Sequence, residues 1–164
     1  MEPKIDISMI KIRKLKEGDI VKVVRLWRRA ERITLKDYYP KKIIEWYCKN
    51  NTKRNIVNKL KTTKFWVAED FKKNKIAGFI AKRDNVVKFF FVDPNYQRKG
   101  IGRMLFEKFI KQAVKNGDKY IFVKSSHYAI PIYKKFGFKI VKKIYRIIEG
   151  QKIYDTLMNY KIRH

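Results

Sequence analysis

Apolar residues recur along this chain with two different periods, and the change between them divides it into elements. Ile10 and Ile12 alternate with charged neighbours, which predicts a first strand over 10–14. Glu17-Gly18-Asp19 then turns into a helix, where Val23, Leu26, Trp27 and Ala30 fall at helical spacing and Asp19 can cap the free N–H groups. A second helical region begins near Pro40 and carries Ile43, Ile44, Trp46 and Tyr47; a third holds Ile56, Val57 and Leu60. At Phe65 the period shortens. Phe65–Glu69 and Ile76–Ala81, separated by a polar turn through Lys72 to Lys75, read as a hairpin, and Asp84-Asn85 turns again into strand Val86–Val92. Helical spacing resumes through Ile101, Leu105, Phe106, Phe109, Ile110 and Ala113 and ends at Asn116-Gly117, a left-handed cap. Tyr120–Val123 is apolar on both sides and reads as a central strand. A short helix around Ile130–Phe136 stops at Gly137, and two last strands follow near Ile140–Ile148 and Ile153–Tyr160, joined by Glu149-Gly150.

This order predicts an α/β fold: one mixed, mostly antiparallel sheet of about seven strands, flanked by about four helices. With 164 residues the chain suits one domain, expected over 10–164, with a flexible tail over 1–9. No internal repeat or separable linker interrupts it.

Composition narrows the setting. One cysteine, Cys48, excludes an internal disulfide and fits a reducing compartment. No leader pattern opens the chain and no apolar run approaches membrane-spanning length, so a soluble cytoplasmic protein without membrane contact is expected. The charge is extreme: 42 Lys plus Arg against 15 Asp plus Glu, a net +27. Such a field captures anions. It invites a nucleic acid or ribosome as partner, although a chain-wide bias toward Lys and Ile gives the same number.

The most informative stretch follows the strand at Val86–Val92. Asp93-Pro94 leads into Gln97-Arg98-Lys99-Gly100-Ile101-Gly102, which opens the amphipathic helix. A helix start has unpaired N–H donors and about half a positive charge, and glycines at 100 and 102 let a phosphate approach the backbone. The dinucleotide fingerprint G-x-G-x-x-G is excluded because only one glycine pair is present. The nucleotide-triphosphate loop is excluded because Arg103 follows Gly102 and no Ser or Thr is available for magnesium. Alone, the pair of glycines would also suit a helix packed closely on a sheet.

With Tyr133-Lys134-Lys135-Phe136-Gly137-Phe138 downstream, the sequence resembles the GCN5-related N-acetyltransferases, most strongly over 86–138. Gln97–Gly102 matches that family's [Q/R]-x-x-G-x-[G/A], and Ala129, Tyr133, Lys135, Gly137 and Phe138 match its A-x-x-x-Y-x-K-x-G-F setting. The resemblance implies the acyl-CoA N-acyltransferase fold, acetyl-CoA as acyl donor, and transfer to an amine on a small molecule or protein through a ternary complex. It also implies site residues. The amides of Gln97, Arg98, Lys99, Gly100, Ile101 and Gly102 would cradle the coenzyme A pyrophosphate. The Val92 backbone N–H would meet the oxyanion, and Tyr133 would protonate the departing thiolate. Ser126 stands where many relatives have an asparagine that contacts the pantetheine arm.

Acyl transfer needs a deprotonated amine, oxyanion stabilisation and a proton for the thiolate. Tyr133 offers the last, although a tyrosine can equally pack its ring in a core. The amine's base is not evident: the strand Val86–Val92 has no carboxylate, Lys88 would need a strongly lowered pKa, and Glu31, Glu45 and Glu69 lie on other elements. His127 is a local hydrogen-bonding group at most, and Cys48 has no orienting histidine. Trp27, Tyr38, Tyr39, Trp46 and Tyr47 occupy the region that shapes the acceptor site in relatives. No metal is expected, and the last two strands offer an edge for a homodimer. Two other readings remain open: a basic nucleic-acid-binding module on the same fold, and a non-catalytic coenzyme A sensor.

Overall fold

The computed structural model describes residues 4–163. Asp6 caps a 3-10 turn at Ile7–Met9, and the Met9 carbonyl accepts the Phe71 N–H at 3.3 Å. Residues 1–3, the start of the tail expected over 1–9, lie outside the described residues.

Seven strands form one sheet: β1 (Ile10–Lys14), β2 (Lys64–Asp70), β3 (Lys75–Arg83), β4 (Val86–Val92), β5 (Tyr120–Ser125), β6 (Lys139–Ile148) and β7 (Gln151–Lys161). Their spatial order is β1-β2-β3-β4-β5-β7-β6. Every neighbouring pair is antiparallel except β4 and β5, which run parallel and pair only at Val86↔Phe122 and Val87↔Val123. Beyond those two positions the strands part. The cause is local: β3 pairs Lys82 with Val87 and Ala81 with Phe89, which leaves Lys88 as a bulge on β4. A bulge bends its strand and sharpens its twist, and β4 leaves β5 just past it.

Among the described residues five α-helices flank the sheet: α1 (Ile20–Thr34), α2 (Lys41–Asn50), α3 (Lys53–Lys59), α4 (Ile101–Lys115) and α5 (Ile130–Phe136). On one face Ile101, Leu105, Phe106 and Phe109 of α4 pack with Ile80, Val87 and Ile121 of the sheet. On the other, Val23, Leu26, Trp27 and Ala30 of α1 pack on Phe65, Val67 and Phe79. A smaller cluster seats Ile43, Ile44 and Cys48 of α2 against Ile148 and Ile153 at the β6–β7 turn.

Gly78 marks the tightest packing. A Cβ there would lie 2.9 Å from the Phe91 carbonyl oxygen and 3.2 Å from Leu105 Cδ1. Because the first neighbour is backbone, Gly78→Ala must push β4 off β3, and overpacking of this kind costs about 1–3 kcal/mol. Urea unfolding should show that loss; an unchanged midpoint would mean that β4 yields freely.

Glu31 lies on the buried side of α1. Its carboxylate accepts from Trp27 Nε1 at 2.9 Å, Asn51 Nδ2 at 2.9 Å and the Cys48 thiol at 3.8 Å. Burial outweighs these donors and pushes its pKa up to about 7, from 4.5. The folded chain therefore holds a proton that the unfolded chain releases, so the Glu31 contribution to stability falls as pH rises from about 4.5 to 7. Unfolding free energies across that window should decline more steeply for the wild-type chain than for Glu31→Gln; parallel slopes would refute the shift.

Candidate active site

The turn between β4 and α4 is held from three sides. Asp93 caps a 3-10 turn at Pro94–Tyr96 by accepting from the Asn95 N–H at 2.9 Å, and it pairs with Arg29 of α1 at 2.8 Å. The Tyr96 hydroxyl donates to Asp70 Oδ2 at 2.8 Å, within the core. Past this anchor the backbone turns left-handed at Arg98 (φ 60°) and again at Gly100 (φ 85°), and α4 starts at Ile101. The carbonyl of Gly100 accepts the Met104 N–H at 3.0 Å, while no side chain caps the helix. The N–H groups of Arg98 through Arg103 make no hydrogen bond among the described residues. A curved run of free amides on a helix N-terminus is an anion cradle.

The side chains of this turn divide their tasks. Ile101 is buried in the core under α4, which fixes the helix start, and Arg98 and Lys99 are exposed. A Cβ on Gly100 would meet nothing within 4 Å, so that glycine faces open space. A Cβ on Gly102 would touch Phe90 at 3.6 Å and Val92 Cγ2 at 3.7 Å. Gly102 is thus the packing glycine and Gly100 the open one. Gln97 donates through Nε2 to the Val92 carbonyl at 3.3 Å and ties the turn to the end of β4.

Val92 stands where β4 has left β5. The Asp93 N–H donates to Ala77 at 2.8 Å, and the register pairs Phe91 with Phe79. Antiparallel ladders alternate, so Phe91 and Asp93 direct their amides at β3 and Val92 directs its own the other way, into the opening.

Tyr133 lies on α5, buried in the core beside Phe90 of β4. Pro131 occupies the first turn, where its missing N–H costs nothing, and the Tyr133 N–H donates to Ala129 at 3.0 Å. The ring packs against Phe138 and Phe90, with centroids 5.2 and 6.2 Å away. Burial alone, with no hydrogen bond contributing, raises the pKa of its hydroxyl above that of an ordinary phenol. Such a group stays protonated at neutral pH. The Ser126 hydroxyl does not cap α5. The N-cap of α5 is Ala129, and Ser126 acts through its carbonyl, which accepts from Ser125 Oγ at 2.9 Å and the Ala129 N–H at 3.1 Å.

Comparison with known proteins shows the family and the fold. The family model for the acetyltransferase (GNAT) domain matches residues 34–158. The chain belongs to the GNAT acetyltransferases. It is 28% identical over 159 residues to the N-acetyltransferase YafP of Escherichia coli K12, spanning 96% of this chain and 100% of that protein. A GCN5-related N-acetyltransferase from Rhodopseudomonas palustris shares its fold with a TM-score of 0.85 at 17% identity, over 97% of this chain and 99% of that one. The PaiA N-acetyltransferase of Thermoplasma acidophilum, solved with coenzyme A, aligns with a TM-score of 0.78 at 22% identity, over 93% and 98%. YncA of Salmonella typhimurium, solved with acetyl-CoA, aligns with a TM-score of 0.64 at 17% identity, over 94% and 95%. The seven-stranded mixed sheet is the fold that the sequence predicts for this family.

On the other face of this acetyltransferase, the aromatic residues separate. Trp27 is core, packed on Phe79, Phe89 and Phe91 with centroids 4.5–5.8 Å away. Tyr38 meets Tyr128 edge-on, and Trp46 meets Tyr47 in the same way. Tyr39 and Tyr47 point toward a carboxylate that sequence reasoning passed over: Asp155 on β7, 5% exposed. Arg146 of β6 donates from Nε to Asp155 Oδ2 at 3.0 Å, and from its guanidinium to the Tyr47 hydroxyl. Burial raises the Asp155 pKa, against Arg146, His127 and Lys124, which lower it. The legible signal is the strand itself: Ile153, Asp155 and Leu157 share a face by period two, and a carboxylate on the inward face of a strand is out of place unless paired.

The carboxylates considered from sequence lie elsewhere. Glu69 pairs with Arg13 at 2.7 Å near the β1 edge, Glu45 sits exposed 3.8 Å from Arg32, and Glu31 is sealed under α1. The Cys48 thiol is buried, and burial pushes its pKa up to about 11, which disfavours a nucleophilic thiolate. A cavity of about 510 Å³ between α1 and α2 is lined by Arg28, Arg32, Lys42, Trp46, Lys49 and Glu149 among others, and none of the residues 97–102 borders it. Among the described residues no cluster of His, Cys, Asp or Glu could hold a metal ion, and no helix is long and apolar enough to cross a membrane.

Proposed function

We propose that this acetyltransferase moves the acetyl group of acetyl-CoA directly to a primary amine, both substrates bound at once. The observation that carries the reading is the run of free amides from Arg98 to Arg103, set beside the opening between β4 and β5. In this reading the amides of Gln97, Arg98, Lys99, Gly100, Ile101 and Gly102 hold the pyrophosphate, with Arg98 and Lys99 adding charge. The pantetheine arm enters the opening past Ser126. The Val92 N–H receives the oxyanion as the amine attacks the thioester carbon, and the Tyr133 phenol gives its proton to the sulfur as the C–S bond breaks. Coenzyme A and acetyl-CoA in the solved relatives from Thermoplasma and Salmonella support a site for this donor.

Calorimetric titration with acetyl-CoA, beside a short RNA duplex at physiological salt, tests the proposal. Saturable acetyl-CoA binding is expected. RNA binding that weakens with salt, with none of acetyl-CoA, would replace the enzyme reading by a basic binding module. Binding without acetyl transfer to any amine would make the chain a sensor.

A further inference from the structure

The face of the sheet toward α1, α2 and α3 carries a charge pattern that the donor site does not use. Lys88 and Lys124 follow the last paired positions of β4 and β5, Val87↔Val123, and stay near enough for the charge of Lys124 to act on Lys88. Lys124 pairs with Leu157, so it shares a face with Asp155 two residues along β7. Arg146 holds Asp155 from β6, and Lys59 of α3 lies over the Phe89 ring at 5.7 Å. Lys88 is half-buried, and desolvation together with Arg83, Lys124, Lys59 and Arg146 lowers its pKa. A cluster of like charges around a half-buried lysine is costly unless an anion joins it.

One carboxylate interrupts the cations. Asp155 follows the β5 pairing Ser125↔Thr156, which sets it beside Ser126 at the mouth of the opening. Next to it lies the buried Tyr39 hydroxyl. The charged and titratable groups facing Asp155 are Arg146 of β6, Lys124 of β5, His127 of the β5–α5 loop, and Tyr39 and Tyr47 of the α2 side.

Building on the proposed function, we infer that Asp155 receives the acceptor amine and takes its proton, and that Lys88 and Lys124 hold an anionic group on the same acceptor. The substrate class is then an amine carrying a carboxylate or phosphate. The ammonium loses one proton to Asp155, the freed lone pair forms the C–N bond, and the C–S bond breaks with its electrons on sulfur. Tyr133 protonates the sulfur, and the remaining surplus proton on nitrogen restores the phenol. One proton, held by Asp155, passes to solvent per amide formed.

The test measures acetyl-CoA affinity and acetyl transfer to matched amines: ethanolamine against phosphoethanolamine, and phenethylamine against phenylalanine. Wild-type protein should use an anionic member of a pair at least roughly tenfold better by kcat/KM. Lys88→Gln with Lys124→Gln should raise KM for that amine roughly tenfold or more and erase the preference. Asp155→Asn should keep acetyl-CoA affinity, lose roughly 10²- to 10⁴-fold in kcat/KM, and lose the ascending limb of the pH profile. Asp155→Glu should restore part of both, which a merely structural role would not do. Asp155→Asn with an unaltered pH profile, or neutral amines used as well as anionic ones, would overturn the inference while leaving the proposed function standing. No acetyl-CoA binding by the wild-type chain would remove the proposed function, and this inference with it.

Discussion

Tyr133→Phe should lower kcat by roughly 10²- to 10⁴-fold and leave acetyl-CoA affinity unchanged. The expectation rests on what the hydroxyl does and does not touch. Burial is the only influence on its pKa and no hydrogen bond contributes, so its loss leaves no partner unsatisfied and the melting temperature should stay put. The ring, which packs against Phe90 and Phe138, remains. In the proposed role only the proton for the leaving thiolate disappears, and such a proton matters in the transition state and not in the ground state. Its raised pKa keeps the phenol protonated at working pH, where a donor must be. Pre-steady-state turnover and calorimetry on the same preparation separate the two quantities. Equal losses in affinity and rate would assign Tyr133 to packing.

Gly100→Val should weaken acetyl-CoA binding by at least roughly 100-fold. Hydrogen bonds to a charged group contribute about 1.5–3 kcal/mol each, and a factor of ten corresponds to about 1.4 kcal/mol, so displacing two amides from the pyrophosphate suffices. The added side chain meets nothing in the protein, because the direction of a Gly100 Cβ is open; its effect falls on the ligand's space and on the backbone. At φ +85° an L residue is also strained, by about 1–2 kcal/mol. Gly117 separates the two effects. It has a similar φ of +77° and an equally open Cβ direction, at the far end of α4. Gly117→Val should therefore lower stability to a similar degree and leave acetyl-CoA affinity intact. Equal affinity in both variants would reject the amide cradle.

Much of this arrangement is legible in the residues. The strand Val86–Val92, the turn at Asp93-Pro94 and the helix from Ile101 follow from period and cap chemistry, since local sequence decides them. Gly137 ends α5 with φ +100°, as its position after Phe136 predicts. The amine side is not legible in this way. Trp27 looks like a pocket residue or a core residue from spacing alone, and only its contact with Phe79, Phe89 and Phe91 makes it core. A search for a base confined to β4 and to glutamates passes over Asp155, because its neighbours Arg146, Tyr47 and His127 are distant in the chain.

By itself, the sequence determines the elements, the family and the glycine-containing turn proposed to hold the phosphates, because each depends on residues within one turn or strand of each other. Tertiary structure decides where the sheet opens, since that depends on a bulge at Lys88 set by the register with β3. It also decides which charges meet there. Lys88, Lys124, Arg146 and Asp155 come from four strands, and strand pairing brings them to one face. Electrostatic interaction depends on distance through space and burial, neither of which is written along the chain.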